Sequence, residues 1–211
     1  MKKVNPIDPD DPDRSVLFAA AALIRKGGVV AIPTDTFYGL AADPFNLKVV
    51  RRLFEIKGRD SSKPILLLIS GLQMLPSLVE EVSPLAEKLI GRFWPGPLTL
   101  IFKASKQLPD LLTGGTGTIG VRFPNAPLPI RLIDQVGFPI TATSANRSGA
   151  PSPASAQEVE RGLGAAVDCI LDGGVCSTLP STVLDVTASE PHLLREGRVS
   201  ADQVAAAIKK G

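Results

Sequence analysis

Histidine occurs once in the 211 residues, at His192, and cysteine only twice, at Cys169 and Cys176. Neither a zinc cluster nor a Ser-His-Asp or Cys-His catalytic unit is expected from so few groups. Cys169 lies within an apolar run and reads as a buried small hydrophobe. Aromatic residues make up only 5% of the chain, with one Trp and one Tyr, which leaves few aromatic faces on which nucleic-acid bases could stack. Long apolar runs are also lacking: ILLLI at 65–69 is far below the roughly 20 residues that span a bilayer. No sign of charge dominates, since 23 Lys+Arg face 21 Asp+Glu for a net charge of +2. That balance argues against indiscriminate polyanion binding, so any nucleic-acid role needs a local basic patch. The opening MKKVNPIDPDDPDRS has lysines but no apolar stretch behind them, so it does not read as an export signal, and cytoplasmic residence is expected.

What is present is 44% hydrophobic and 21% charged, a composition that folds around a core. The length suits one globular domain, 13–211, preceded by an acidic, proline-rich flexible tail at 1–12.

Asp13 can cap a helix whose apolar residues, Val16, Phe18, Ala19, Leu23 and Ile24, recur with helical spacing up to Gly27-Gly28. A strand is predicted at 29–32, followed by the extended polar segment PTDTFYGLAA at 33–42, whose Thr, Asp, Tyr and Gly residues suit a functional role. Asn46 is the predicted cap of a second helix, with Gly58 as its left-handed terminus. The ILLLI run is apolar on both faces, as suits an interior strand. Ser83-Pro84 opens a third helix. Segments 98–102 and 118–123 read as strands, 128–135 as a helix and 139–143 as extended chain. GTGTIG at 115–120 precedes a strand instead of opening a helix, so it reads as a mobile loop and not as a phosphate cradle. Capping-box pairs Ser155/Glu158 and Ser200/Gln203 predict two more helices, with strands at 167–171, 182–186 and 192–194 between them. Some connections are too short for helical crossovers. The expected fold is therefore α/β, with a twisted mixed sheet and flanking helices.

Four places carry chemistry. Lys57, Arg59 and Lys63 crowd around Gly58 just past a helix C-terminus, where they either neutralise the helix dipole or converge on a phosphate. TATSANRSGAPS at 141–152 sets small hydroxyl and amide groups at a strand end, which suits either a ligand crevice or an ordinary turn. The same choice applies to PST at 180–182. Arg122 and Arg195 sit in or at the end of apolar strands, where a guanidinium must be paired, bonded or aimed into a wet cavity. A polyanionic ligand accounts for both arginines together with the Lys57 group.

In order, IPTDTFYGLA (32–41), KGRDSSKP (57–64), FWPGPLTL (93–100), TIGVRFP (118–124), TATSANRSG (141–149), PSTVLDV (180–186) and LLREG (193–197) resemble the YrdC/Sua5 family of threonylcarbamoyl-AMP synthases. The length is similar to the short YrdC type, without the extra C-terminal domain of the longer Sua5 type.

The resemblance implies a YrdC-like catalytic domain at 13–211, its sheet curled around a large basic cavity. It implies a nucleotidyltransferase that joins L-threonine, bicarbonate and ATP into threonylcarbamoyl-adenylate and pyrophosphate, for threonylcarbamoyladenosine at tRNA position 37. Hand-off to the TsaB–TsaD–TsaE system, with a tRNA contact, is implied as well. Lys57 and Arg59 would be catalytic. The implied ATP contacts are Lys57, Arg59, Lys63, Thr118, Ser144, Asn146, Ser152 and Arg195. The implied threonine contacts are Thr36, Arg122, Ala142 through its backbone, and Ser181. Mg²⁺ would arrive on the ATP phosphates, with no metal ligand expected from protein side chains. Leu68 departs from the pattern, because many members carry histidine there, and His192 is not assumed to replace it. Two other readings fit parts of the sequence: an RNA-binding module without turnover, and a domain related to the hydrogenase-maturation carbamoyltransferase.

Overall fold

The computed structural model describes residues 3–209. Strand β1 (Val4–Pro6) leads to helix α1 (Arg14–Arg25), whose cap Asp13 accepts from the Ser15 and Val16 amides. Gly27, at φ 85°, turns the chain into β2 (Val30–Ile32), and the polar segment 33–38 leads to β3 (Gly39–Ala41). Helix α2 (Leu47–Lys57) ends on left-handed Gly58, as predicted, but Asn46 occupies the N-cap position without a side-chain cap bond. Next come β4 (Leu67–Leu68), a 3₁₀ turn (Leu72–Ser77), and α3 (Pro84–Phe93), whose cap Ser83 accepts from the Ala86 amide. Strand β5 (Leu98–Lys103), the short α4 (Asp110–Thr113), β6 (Thr118–Arg122) and α5 (Pro127–Val136) follow. The chain continues through β7 (Ile140–Thr141), β8 (Thr143–Ser144), α6 (Ala156–Leu163) and β9 (Cys169–Asp172). It closes with β10 (Thr182–Asp185), β11 (His192–Arg195) and α7 (Ala201–Lys209).

The strands form two mixed sheets, β1-β9-β2-β3-β8 and β11-β10-β5-β6-β4-β7. β2 runs parallel to β9 and antiparallel to β3; β5 runs parallel to β10 and antiparallel to β6. The expected α/β architecture is therefore present, with its strands divided between two sheets. The sheets meet where β7 and β8 are separated by Ala142 alone. There the Thr141 amide donates to the Ala42 carbonyl and the Ala142 amide to the Leu66 carbonyl, so one short stretch belongs to both layers.

One core cluster joins Leu53 and Phe54 of α2 and Leu89 of α3 to Leu98, Leu100 and Val121 of the second sheet. The other packs Ala20 and Ile24 of α1 and Leu132 of α5 against Cys169 and Leu171 of β9. Cys169 is the buried hydrophobe the sequence predicts, its sulfur accepting from Asn5 Nδ2. Two expectations are corrected. The 1–12 segment is not wholly a loose tail: Val4–Pro6 pairs in parallel with Ile170–Asp172, and Ile7 is buried in the second core cluster. The 115–120 segment is loop only up to Gly117, since Thr118–Gly120 belongs to β6, as the strand reading of 118–123 expects, and pairs with Ile101–Lys103.

Candidate active site

Alternation along the strands of the second sheet builds the site. Leu98 and Leu100 of β5 and Ile119 and Val121 of β6 enter the first core cluster. Their neighbours Thr99, Ile101, Gly120 and Arg122 line a cavity of about 340 Å³ on the opposite face. Ser181 and Val183, at β10, and Leu66, before β4, extend that wall. Thr36, Gly39, Thr143 and Ser144 of the other layer complete it. Gly120 carries no side chain on that floor, where an added Cβ would make ordinary contact with Thr99 Cγ2 (3.5 Å) and Leu66 Cδ1 (3.6 Å) of the same wall.

Three arginines converge on the cavity from three directions. Arg122 is 3% exposed. Its Nη1 donates to Thr36 Oγ1 (3.1 Å) and its Nη2 to Thr34 Oγ1 (3.4 Å), and its charge faces Asp35 Oδ1 at 3.3 Å. Burial pulls the Arg122 guanidinium below its ordinary value, while Asp35 acts in the opposite sense. Arg59 donates from Nη1 to Thr143 Oγ1 (3.2 Å) and from Nη2 to the Pro64 carbonyl (2.9 Å). Arg195 grips the Ser181 carbonyl through Nε (3.2 Å) and Nη2 (2.9 Å). The Ser181 hydroxyl lies 3.0 Å from that of Thr99. Desolvation lowers Arg59 and Arg195 as well. The Nε atoms of Arg59 and Arg122 are buried without a hydrogen-bond partner. The guanidinium groups of Arg59, Arg122 and Arg195 on one cavity wall suit an anionic ligand.

The structure brings Thr36, Arg59, Arg122, Ala142, Ser144, Ser152, Ser181 and Arg195 to this one cavity. Asn146 lines an adjoining groove of about 720 Å³ that shares Phe37 and Ser152 with it. Three expected contacts stand elsewhere. Lys57 lies behind the wall, 4% exposed, its ammonium turned to the 144–146 turn because three oxygens converge there. Burial pushes that ammonium down to about 8. Lys63 is exposed on the turn that leads to Pro64. Thr118 shares the strand face of Gly120 and Arg122 but sits at the outer end of that row, its hydroxyl 2.9 Å from that of Thr116. Leu68 is fully buried in the second core cluster, while Leu66 is the residue of that segment on the cavity wall.

Sequence reasoning left Asp35 and Thr34 without assigned roles. Both Asp35 oxygens are buried and without a hydrogen bond among the described residues, so the carboxylate meets Arg122 by charge alone. The signal was available in TDT, an acid between two hydroxyls in a segment with neither helical nor strand periodicity.

The family model Sua5_yciO_yrdC, described as telomere recombination, matches residues 22–197. The threonylcarbamoyl-AMP synthase of Pyrococcus abyssi is 42% identical over 186 residues, covering 88% of this chain and 55% of that protein. The putative threonylcarbamoyl-AMP synthase of Mycobacterium tuberculosis is 36% identical over 199 residues, covering 94% of this chain and 91% of that protein. Among solved structures, P. abyssi Sua5 complexed with L-threonine superposes with a TM-score of 0.94 at 38% identity, covering 98% of this chain and 61% of that one. The chain thus spans little more than half the length of the first curated relatives it matches. With the family model covering most of the chain and the same fold in its neighbours, this chain belongs to the Sua5/YciO/YrdC family.

Proposed function

We propose that the protein is an L-threonylcarbamoyladenylate synthase. The observation that carries this reading is the convergence of Arg59, Arg122 and Arg195, with Thr36, Ser144 and Ser181, on one cavity. The reaction consumes L-threonine, bicarbonate and ATP and yields threonylcarbamoyl-AMP, pyrophosphate and water. The amino group of threonine takes up the carbon of bicarbonate as a carbamate. A carbamate oxygen then bonds to the α-phosphorus of ATP as the bond to pyrophosphate breaks. No protein nucleophile is required. Catalysis is by alignment of the two reactants and by neutralising charge on the leaving pyrophosphate.

Arg122, fixed by Thr34, Thr36 and Asp35, suits the threonine carboxylate, with Ser181 and the Ala142 backbone beside it. Arg59 and Arg195 suit the phosphates, with Ser144 and Ser152 toward the nucleoside and Asn146 in the adjoining groove. Lys63, exposed on the turn before Pro64, and Thr118, at the outer end of the β6 row, are the further phosphate contacts of this reading. Mg²⁺ enters with ATP as part of the substrate. Among the described residues no group of three or more His, Cys, Asp and Glu side chains is placed to hold a metal ion. The product would pass to a second enzyme that transfers the threonylcarbamoyl group to tRNA, for which the TsaB–TsaD–TsaE system is the proposed recipient.

The test is pyrophosphate release from ATP by the purified protein. Release that requires both L-threonine and bicarbonate supports the reading. Folded protein that releases none, or releases it without threonine, overturns it.

A further inference from the structure

Lys57 belongs by sequence to the same cationic cluster as Arg59, yet its side chain is used differently. Its Nζ donates to the Ser144 carbonyl, to the Asn146 carbonyl (2.8 Å) and to Asn146 Oδ1 (3.3 Å). Its own carbonyl accepts from the Ser148 amide at 2.8 Å. An ammonium has three N–H groups, and here all three meet oxygens of one turn, leaving none for a phosphate. The turn so gripped carries Ser144 on the cavity wall and follows directly on Thr143, whose hydroxyl receives Arg59 Nη1. Asn146, held at its Oδ1 by Lys57, passes the restraint on by donating from Nδ2 to the Ala150 carbonyl. The end of α2 and the 144–150 segment are thereby joined from side chain and backbone at once. Burying a cation merely to fill space is unfavourable beside an apolar side chain of similar length, so the charge must serve the oxygens it meets.

We propose that Lys57 is a positioning residue, which ties the last turn of α2 to the 144–148 turn and so fixes Ser144 and Arg59 against the nucleotide. The threonine end of the cavity, with Thr36, Arg122 and Ser181, is not touched by Lys57. Nucleotide and threonine binding therefore separate in its variants. The inference rests on the assignment of the cavity to ATP and L-threonine made above.

The test uses Lys57→Met, which keeps length without charge, and Lys57→Arg, which restores a cation and is the second variant should the first fail to fold. Calorimetry reads ATP and L-threonine affinities separately at several salt concentrations. Hydrogen exchange without ligand reads the amides of residues 144–148. Lys57→Met is expected to weaken ATP binding about tenfold, the scale of one charge-assisted hydrogen bond. Threonine affinity should stay within twofold, exchange at 144–148 should speed up, and the salt dependence of ATP binding should be unchanged. Lys57→Arg should recover part of the ATP affinity. Exchange at 144–148 unaltered, with a shallower salt dependence, would instead make Lys57 a direct phosphate contact and overturn the proposal. Equal loss of both affinities with a lower unfolding temperature would reduce it to a general structural role and overturn it too. Wild-type protein that releases no threonine-dependent pyrophosphate would remove the proposed function, while exchange at 144–148 would still report whether Lys57 holds the turn.

Discussion

Arg122 and Asp35 form a pair whose side chains are 3% and 7% exposed, which makes each dependent on the other. Removing one partner of a buried ion pair leaves the second charge uncompensated, at a cost of about 3–5 kcal/mol. Arg122→Met is expected to lose stability on that scale in urea unfolding. Adding Asp35→Asn to it should return part of the loss, because the stranded charge is then gone. A double variant no more stable than Arg122→Met would mean that the carboxylate is not stressed by burial. Lys57 supplies a second test, through pH. Its folded value, about 8, lies below the ordinary 10.5. Between these values the unfolded chain binds a proton that the folded chain does not, so stability contributed by this group rises as pH climbs from about 8 towards 10.5. The brace weakens over the same window, because the neutral amine has lost a donor and its charge. Stability should therefore gain relative to Lys57→Met while ATP affinity falls. A difference between the two proteins that stays flat from pH 7.5 to 10.5 would show that Lys57 does not titrate there.

At the scale of elements, two left-handed glycines next to the site differ in what surrounds them. Gly58 ends α2 at φ 55°, and a Cβ there meets nothing within 4 Å. Gly114 ends α4 at φ 60°, and a Cβ would stand 2.3 Å from the Ser62 carbonyl oxygen. Gly58→Ala should cost only the backbone penalty, about 1–2 kcal/mol. Gly114→Ala should cost more, and it should displace the 60–64 turn that carries Lys63 and receives Arg59 at Pro64. Denaturant midpoints for the two variants check the order, and equal losses would mean that the turn yields freely. The same contrast explains what could be read in the sequence. Caps and terminators such as Asp13, Gly58 and Ser83 were legible because their bonds close within a few residues. Ser200 and Gln203 likewise exchange bonds in both directions, as the capping box requires. β1 was hidden because a three-residue strand depends on β9, which is distant in sequence. The ILLLI run shows only Leu67–Leu68 as strand, although the Ile65 and Ile69 amides do find carbonyls, at Leu112 and Arg122. Arg122 and Arg195 announced the site by standing in apolar strands. The inward turn of Lys57 could not be foreseen, because its acceptors come from residues 144–146.

At the scale of the whole molecule, the cavity is walled by both sheets, which meet along the 140–144 stretch, where Ala142 alone separates β7 from β8 and the Thr141 amide donates to the Ala42 carbonyl. A ligand that touches Arg122 and Arg195 on one sheet and Ser144 on the other therefore bridges the two layers. Binding to the folded state alone stabilises it by RT ln(1 + [L]/Kd), about 2.7 kcal/mol at a hundredfold excess over Kd. ATP and L-threonine together should raise the unfolding temperature more than either alone. With a net charge of only +2, long-range attraction is weak, and the anion-binding field is confined to the arginines of the cavity. Salt should then erode the shift given by ATP while leaving the midpoint of the free protein nearly constant. Gly120→Val supplies the control, since Gly120 lies on the cavity face of β6 and an added side chain would stand beside Thr99 and Leu66 of the cavity wall. It is expected to abolish both ligand shifts with a modest change in the free protein. Ligand shifts that survive in folded Gly120→Val would place nucleotide and threonine outside this cavity.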